Sequence, residues 1–258
     1  MNKLYVKTMA EFMAEGSEPD ILFWVGSAGS FDERAKKITK SFVKILNKAA
    51  VNFGVLGVEE SSSGDAAKRA GNEFLFQMQA LSNIEVMNAY NIKRIVTTCP
   101  HSYNTLKNEY KSLGGRYKVQ HHTEFIAELI SEGKLHILNN LSAKKVTYHD
   151  PCYLGRANNV YDDPRKLIKL LGLELIEMKR SRRKSFCCGA GGAQMFKEPE
   201  RGSMDININR TEEALALEPD IIATGCPFCN TMMTDGVKAV KDGAADVKDI
   251  AELIAENI

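Results

Sequence analysis

Short apolar runs that end at glycine or at a cysteine-bearing turn recur along the chain, separated by longer stretches with apolar residues at helical spacing. Ile21-Leu22-Phe23-Trp24-Val25 is continuously apolar and stops at Gly26, the pattern of a strand buried on both faces. Residues 1–19 before it read as a short arm or helix, closed by Gly16 and Pro19. Ser27 to Ser30 reads as a turn, and Ser30 with Glu33 has the spacing of a capping box. Ala35, Ile38, Phe42, Ile45, Leu46 and Ala49 then follow one helical face. A second strand is expected over Phe53–Leu56, then a serine-rich loop at 61–65 and a long helix carrying Phe74, Leu75, Met78, Leu81, Ile84 and Met87. Ile95 and Val96 form a third strand that runs into Cys99-Pro100-His101-Ser102, followed by a short helix, a strand near Val119 and an amphipathic helix over Thr123–Glu132.

The second half repeats this plan. Val146-Thr147-Tyr148 runs into His149-Asp150-Pro151-Cys152, and Pro164 opens a helix through Leu167, Ile168, Leu170 and Leu171. A strand at Leu175-Ile176, a loop Cys187-Cys188-Gly189-Ala190-Gly191-Gly192 and a helix over Ile206–Leu217 come next. Ile221-Ile222-Ala223 leads into Gly225-Cys226-Pro227-Phe228-Cys229, then a helix with Met232, Met233 and Val237, and a last helix over Asp249–Ile258. Alternating short strands and helices imply parallel βαβ units. The fold expected is α/β: two pseudo-twofold-related parallel-sheet lobes over residues 1–140 and 141–258. Their loops sit at the carboxyl ends of the strands, where open α/β sheets bind ligands.

Composition narrows the function classes. With 258 residues, 44% hydrophobic and 26% charged, the chain is an ordinary globular protein, and its net charge of +1 gives no pull toward nucleic acid. No apolar run is long enough to span a bilayer. Residues 1–19 carry Glu11, Glu15 and Glu18 without an apolar core, unlike a signal peptide. A cytoplasmic location with reduced, available thiols is therefore expected.

The chemistry lies in five cysteines of the second half. Cys152 is followed after 34 residues by Cys187-Cys188, and after 37 more by Cys226-x-x-Cys229. Five thiolates from three segments exceed the four ligands of a tetrahedral zinc, and several soft donors at one site favour an iron–sulfur cluster. Adjacent cysteines grip different irons of an extended cluster more easily than one small ion. A Cys-x-x-Cys pair taken alone also fits zinc or a dithiol–disulfide site, so a zinc-stabilised, non-redox interaction subunit stands as the alternative.

An internal repeat gives the set a counterpart. Cys152 lies 125 positions after Ser27, Cys187-Cys188 lie 125 after Ser62-Ser63, and Cys226 and Cys229 lie 127 after Cys99 and Ser102. The first half thus has the same five positions with serine at four of them. A serine hydroxyl ionises far above neutral pH and is a hard donor, so one cluster per chain is expected, in the second lobe.

The motifs His149-Asp150-Pro151-Cys152-Tyr153-Leu154-Gly155-Arg156, Phe186-Cys187-Cys188-Gly189-Ala190-Gly191-Gly192 and Gly225-Cys226-Pro227-Phe228-Cys229 resemble the cysteine-rich CCG domain. That domain occurs twice in one subunit of heterodisulfide reductases and in iron–sulfur subunits of lactate and glycolate oxidation systems. The resemblance covers about Ile21 to Val237. It implies Cys152, Cys187, Cys188, Cys226 and Cys229 as ligands of a noncubane [4Fe-4S] cluster near the cleft between the lobes. It also implies an oxidoreductase or electron-transfer subunit, working with a ferredoxin-like or flavoprotein partner on a thiol, a disulfide or a small 2-hydroxy acid.

Three lesser features complete the reading. The basic run Lys179-Arg180-Ser181-Arg182-Arg183-Lys184 is a solvated loop or a dock for an acidic redox subunit. His121-His122 could suggest a metal but reads first as packing at a helix start, and Cys99 reads as a buried small residue or a redox-active thiol near the cluster. The glycines at 189–192 lack the spacing of a nucleotide loop.

Overall fold

The chain, seen in a computed structural model, is described at residues 4–138, 141, 144–198 and 202–258; the expected lobe boundary at 140/141 touches residues outside that set. In order, the elements are β1 (Lys7–Thr8), α1 (Met9–Ala14), β2 (Ile21–Trp24), α2 (Gly26–Phe31), α3 (Glu33–Lys48), β3 (Phe53–Val55), α4 (Asp65–Arg69), α5 (Glu73–Ala89), β4 (Arg94–Thr97), α6 (Pro100–Asn104), β5 (Lys118–His121) and α7 (His122–Ser131). The second half has β6 (Lys145–Tyr148), α8 (Asp162–Leu170), β7 (Glu174–Leu175), α9 (Ile206–Leu215), β8 (Ile221–Thr224), α10 (Pro227–Lys241), β9 (Asp246–Asp249) and α11 (Ile250–Glu256).

Two parallel sheets result. Their strand orders are β1-β3-β2-β4-β5 and β7-β6-β8-β9, so with β1 set aside they match strand for strand. All four residues of β2 and of β8 are buried, as continuous apolar strands at the centre of parallel sheets must be. The halves also pack reciprocally. Helix α3, which follows β2, lies on α11, which follows β9; α8, which follows β6, lies on α7, which follows β5. Exchanging the halves exchanges these two contacts, which is the signature of an approximate twofold.

The lobes share a core. One buried cluster joins Phe23, Ile38, Phe42 and Phe125 of the first half to Val146, Leu167, Ile221 and Ile254 of the second. Phe23 meets Phe42 edge-on at 5.0 Å. At the seam His122 Nε2 lies 3.0 Å from Asp249 Oδ1, both fully buried, and His121 takes the N-cap position of α7. Burial pushes the His121 pKa well down, with the neighbouring His122 adding to it, so the ring is neutral. The histidine pair is therefore packing, as its place in the sequence suggests.

Several expected boundaries shift. The Ser27–Ser30 turn is part of helix α2. The capping box at Ser30 does not form, because Ser30 lies inside that helix and the Asp32 carboxylate accepts from Ala35 N at 2.7 Å to cap α3 instead. Strand β7 covers Glu174–Leu175, one residue earlier than expected, in register with Lys145 and Val146. Strands β1 and β9 were not legible: each is a polar segment at a sheet edge.

Because the core is shared, the two lobes are expected to unfold together. Ile254→Ala empties a fully buried position and should cost about 2–5 kcal/mol. In urea titrations, Trp24 fluorescence from the first sheet and far-ultraviolet circular dichroism from both should shift to lower midpoints in one coincident transition; separate transitions would contradict the shared core.

Candidate metal centre

Each cysteine segment leaves the carboxyl end of a strand of the second sheet or the loop beside it. Cys152 sits in a turn after β6 that is closed by Gly155 N donating to Pro151 O at 2.9 Å and Ala157 N donating to Cys152 O at 3.2 Å. Cys226 is the N-cap residue of α10, Pro227 occupies its first turn, and Cys229 lies one turn in. Pro227 suits that place, since its fixed φ fits a helix start and its missing N–H would have no helical partner. Cys187 and Cys188 lie on the loop between β7 and α9.

Among the described residues that loop carries only short 3-10 turns at Arg182–Lys184 and Gln194–Phe196, so side chains fix it. Buried Asp150 pairs with Arg165 through two bonds of 2.8 and 2.9 Å. It also accepts from Arg182 N at 2.7 Å, and its carbonyl accepts from the Ser185 hydroxyl at 3.3 Å. Arg165 extends the pair to Glu177 at 2.6 and 2.9 Å. One carboxylate thus ties the Cys152 turn to the segment leading into Cys187. Gly189 follows at φ +94° and donates its N–H to Cys187 Sγ at 3.3 Å. A Cβ at this glycine would press on Ile206 and Met232 at 3.2 and 3.3 Å, and the positive φ strains any side chain there.

All six cysteines are free thiols. Cys188, Cys226 and Cys229 are buried together beside Ala190, and Cys152 and Cys187 are half-buried. The five of the second half form a continuous row of contacts: the Cys152 and Cys188 thiols both bond to Cys187, Cys188 also meets Cys229, and Cys229 meets Cys226. Bonds from Cys152 and Cys188 hold Cys187 far below the ordinary thiol range against its burial. Burial opposes ionisation of Cys226. The Cys229 thiol, the nearby His101 and the backbone N–H groups of Cys229 and Phe228 outweigh it and hold that thiol low. The other three are pushed up: Cys152 and Cys188 by their bonds to Cys187, and Cys229 by its bonds to Cys188 and Cys226. The row therefore sets two thiols held low beside three held high, joined by contacts between their sulfurs.

Its shape bears on which cation fits. Among the described residues, the one metal-competent trio whose ligand atoms all lie within 4.8 Å of one another is His149, Cys188 and Cys229. No three of the five sulfurs lie that close to one another, so the set does not close on one point. That suits several irons better than one tetrahedral ion.

His149 borders the row. Burial and then the Arg210 charge push its pKa down to about 3, so the ring is neutral. Its Nδ1 accepts from Arg210 Nε at 3.0 Å, which leaves the ring proton on Nε2. Fully buried Arg210 is itself held by Arg180 O and Glu213 at 2.9 and 2.8 Å. Sequence reading missed Asp150, Arg165 and Arg210 as supports. A buried charge on an otherwise amphipathic helix is visible as a pattern only once its partner is known.

The five counterpart positions also converge. Ser27, Ser62, Ser63, Cys99 and Ser102 all line one cavity of about 150 Å³, closed from the second half by Ala190 and Phe228 among others. It lies in the cleft between the lobes, next to the cysteine row. Burial and the charge of Cys226 push the Cys99 thiol up to about 12, which fits a buried, unreactive residue. In the basic run, Arg180 pairs with Glu213 and lies 3.9 Å from the Phe186 ring centroid, and Arg182 pairs with Asp162. Lys179, Arg183 and Lys184 remain exposed.

Asp150→Ala is expected to leave the buried Arg165 half-paired and to cost about 3–5 kcal/mol. It should also free the Cys187 segment, so that thiol labelling of the metal-free chain by a chromogenic disulfide accelerates at Cys187. Unchanged labelling together with unchanged stability would show that Asp150 does not hold the loop.

Comparison with known proteins agrees with this geometry. The CCG cysteine-rich domain matches twice, over residues 21–107 and 146–234. The chain is 49% identical over 256 residues to the probable iron-sulfur-binding oxidoreductase FadF of Bacillus subtilis (strain 168), covering 98% of this chain and 36% of that protein. It is 45% identical to the EtfAB:quinone oxidoreductase of Syntrophomonas wolfei, over 96% of this chain and 36% of that protein. A third relative is a component of the dihydromethanophenazine:CoB–CoM heterodisulfide reductase of Methanosarcina barkeri, 32% identical over 92% of this chain and 58% of that relative. The chain thus spans about a third of the length of the first two and somewhat over half of the third. No helix among the described residues is long and apolar enough to cross a membrane. With the domain matched in both halves, the chain belongs to the CCG cysteine-rich domain family.

Proposed function

We propose that Cys152, Cys187, Cys188, Cys226 and Cys229 hold one noncubane-type [4Fe-4S] cluster, and that the chain is a two-lobed electron-transfer unit divided at 140/141. The observation that carries this reading is the burial of Cys188, Cys226 and Cys229 in one cluster, with half-buried Cys152 and Cys187 in contact through Cys187 and Cys188. When bound, such a cluster supplies reversible electron uptake and an iron open to sulfur ligands. The chain's own groups do the rest. Cys187 and Cys226 are the sulfurs most easily freed of protons. The N-terminus of α10 presents its positive end to an anionic centre, and the Gly189 N–H already points at Cys187 Sγ. The Nε2–H tautomer of His149 is available as a donor beside Cys188 and Cys229.

The first lobe does not repeat this. Four of its five counterpart positions are serines and its one thiol is held protonated, so the proposal is one cluster per chain. Without a second cluster opposite, single-electron relay is favoured over two-site disulfide cleavage, although a heterodisulfide-reductase-like reaction on a thiol or disulfide remains the enzymatic form of the proposal. Relatives named for ETF:quinone and heterodisulfide reduction support redox work inside a larger assembly. Exposed Lys179, Arg183 and Lys184 suit an acidic ferredoxin-like or flavoprotein partner. Six free thiols suit a reducing, cytoplasmic compartment.

A zinc-stabilised, non-redox subunit is the second reading, favoured by the compact His149–Cys188–Cys229 trio. Anaerobic reconstitution separates the two. The expected result is about four irons and four sulfides per chain with a paramagnetic signal on one-electron change. Cys229→Ser should lose more than half of that iron, and Cys99→Ser should retain it. One zinc per chain with no such signal would overturn the cluster.

A further inference from the structure

The repeat that aligns Ser63 with Cys188 and Cys99 with Cys226 also aligns Asp65 with Ala190 and His101 with Phe228. The half with serines therefore carries a carboxylate and an imidazole where the other half carries two apolar side chains. These two residues form a buried pair, with His101 Nδ1 2.8 Å from Asp65 Oδ2. Asp65 Oδ1 accepts in turn from Arg69 Nε at 3.2 Å, so the carboxylate is fully engaged. Across the cleft, the His101 ring packs at 4.6 Å against Tyr153 and edge-on at 5.3 Å against Phe228, its own counterpart. With Nδ1 taken by Asp65, Nε2 is the ring nitrogen left to meet a ligand.

His101 lines the cavity of about 150 Å³ described above. A space of roughly that size admits a single benzene ring. Its lining combines the serines Ser62 and Ser102 with the apolar Met195, Phe196 and Phe228. Among the described residues no lysine or arginine lines it. The basic side chain in the lining, His101, is already paired with Asp65, so a carboxylate or phosphate would lose hydration there without a free counter-ion, which is costly.

We propose that this cavity binds a small uncharged alcohol, phenol or ketone no larger than one ring. The apolar body lies against Phe196, Phe228 and Met195. The oxygen meets His101 and the serine hydroxyls, which together accept from a ligand O–H or donate to a ligand carbonyl. Asp65 sets the direction of the imidazole and, with it, the place of the oxygen. The site goes beyond the electron-relay reading and does not depend on which group the five cysteines hold.

Ligand-observed saturation-transfer and titration NMR on the full reconstituted chain tests it, with phenol and cyclohexanone as neutral ligands and benzoate and lactate as their charged counterparts. The neutral pair should bind and the charged pair should bind at least about tenfold more weakly. The double variant D65A/H101F, which gives the first half the second half's residues, should weaken phenol about tenfold, the worth of one hydrogen bond. Ala66→Phe, which fills the cavity and keeps the dyad, should abolish binding and serves where the double variant does not fold. Benzoate or lactate binding as tightly as phenol, phenol binding unchanged in the folded variants, or no binding of either neutral ligand would overturn the proposal. Iron content and the paramagnetic signal are read on the same samples. Phenol binding by a chain that takes up no iron would uphold this site while overturning the cluster.

Discussion

Sulfur crowding is the constraint on which the rest of the molecule depends. Five thiols lie in a row within a largely apolar pocket, where neither five protons nor five negative charges sit comfortably. The row resolves the conflict by sharing: Cys187 and Cys226 are held toward the anionic form, and the others keep their protons and donate. In a low-dielectric site an unpaired charge is expensive, so the arrangement is stable only with donors aimed at it. The Gly189 N–H, the start of α10 and the charge of His101 serve that end, while Asp150 and Arg165 keep the loops from relaxing apart.

The duplicated fold makes such crowding possible. Parallel strands send all their loops to one end of each sheet, and the reciprocal packing of α3 on α11 and α8 on α7 turns the two loop sets toward a common cleft. Because both lobes draw on one core, the cleft is not a hinge between independent bodies. Within that frame the halves have diverged in chemistry and not in architecture. One presents sulfur; the other presents hydroxyls and the Asp65–His101 pair around a cavity.

Much of this was legible in the sequence because it is written in local patterns. The buried strands at Ile21–Trp24 and Ile221–Thr224 are continuous apolar runs, and the cysteine spacing and its serine echo are visible by alignment of the chain with itself. What was missed depends on partners far away in the chain. Strand β9, Asp-Val-Lys-Asp, looks like a charged turn until it pairs beside β8. Helix α2, Gly-Ser-Ala-Gly-Ser-Phe, has the composition of a loop, and packing against α3 overrides that preference. Asp65 and His101 are 36 positions apart, and Arg210 meets His149 across 61. No periodicity marks such pairs, since burial makes a polar residue informative only when its partner is in view.

The central claim is that a row of five cysteines in one lobe holds a single extended cluster. Mössbauer spectroscopy of the chain reconstituted with iron-57 tests it most directly. The account predicts one cluster whose irons are inequivalent, as unequal thiolate ligation along a row requires, with the same spectrum in Cys99→Ser. A single symmetric iron environment, or a second cluster that disappears with Cys99, would contradict it.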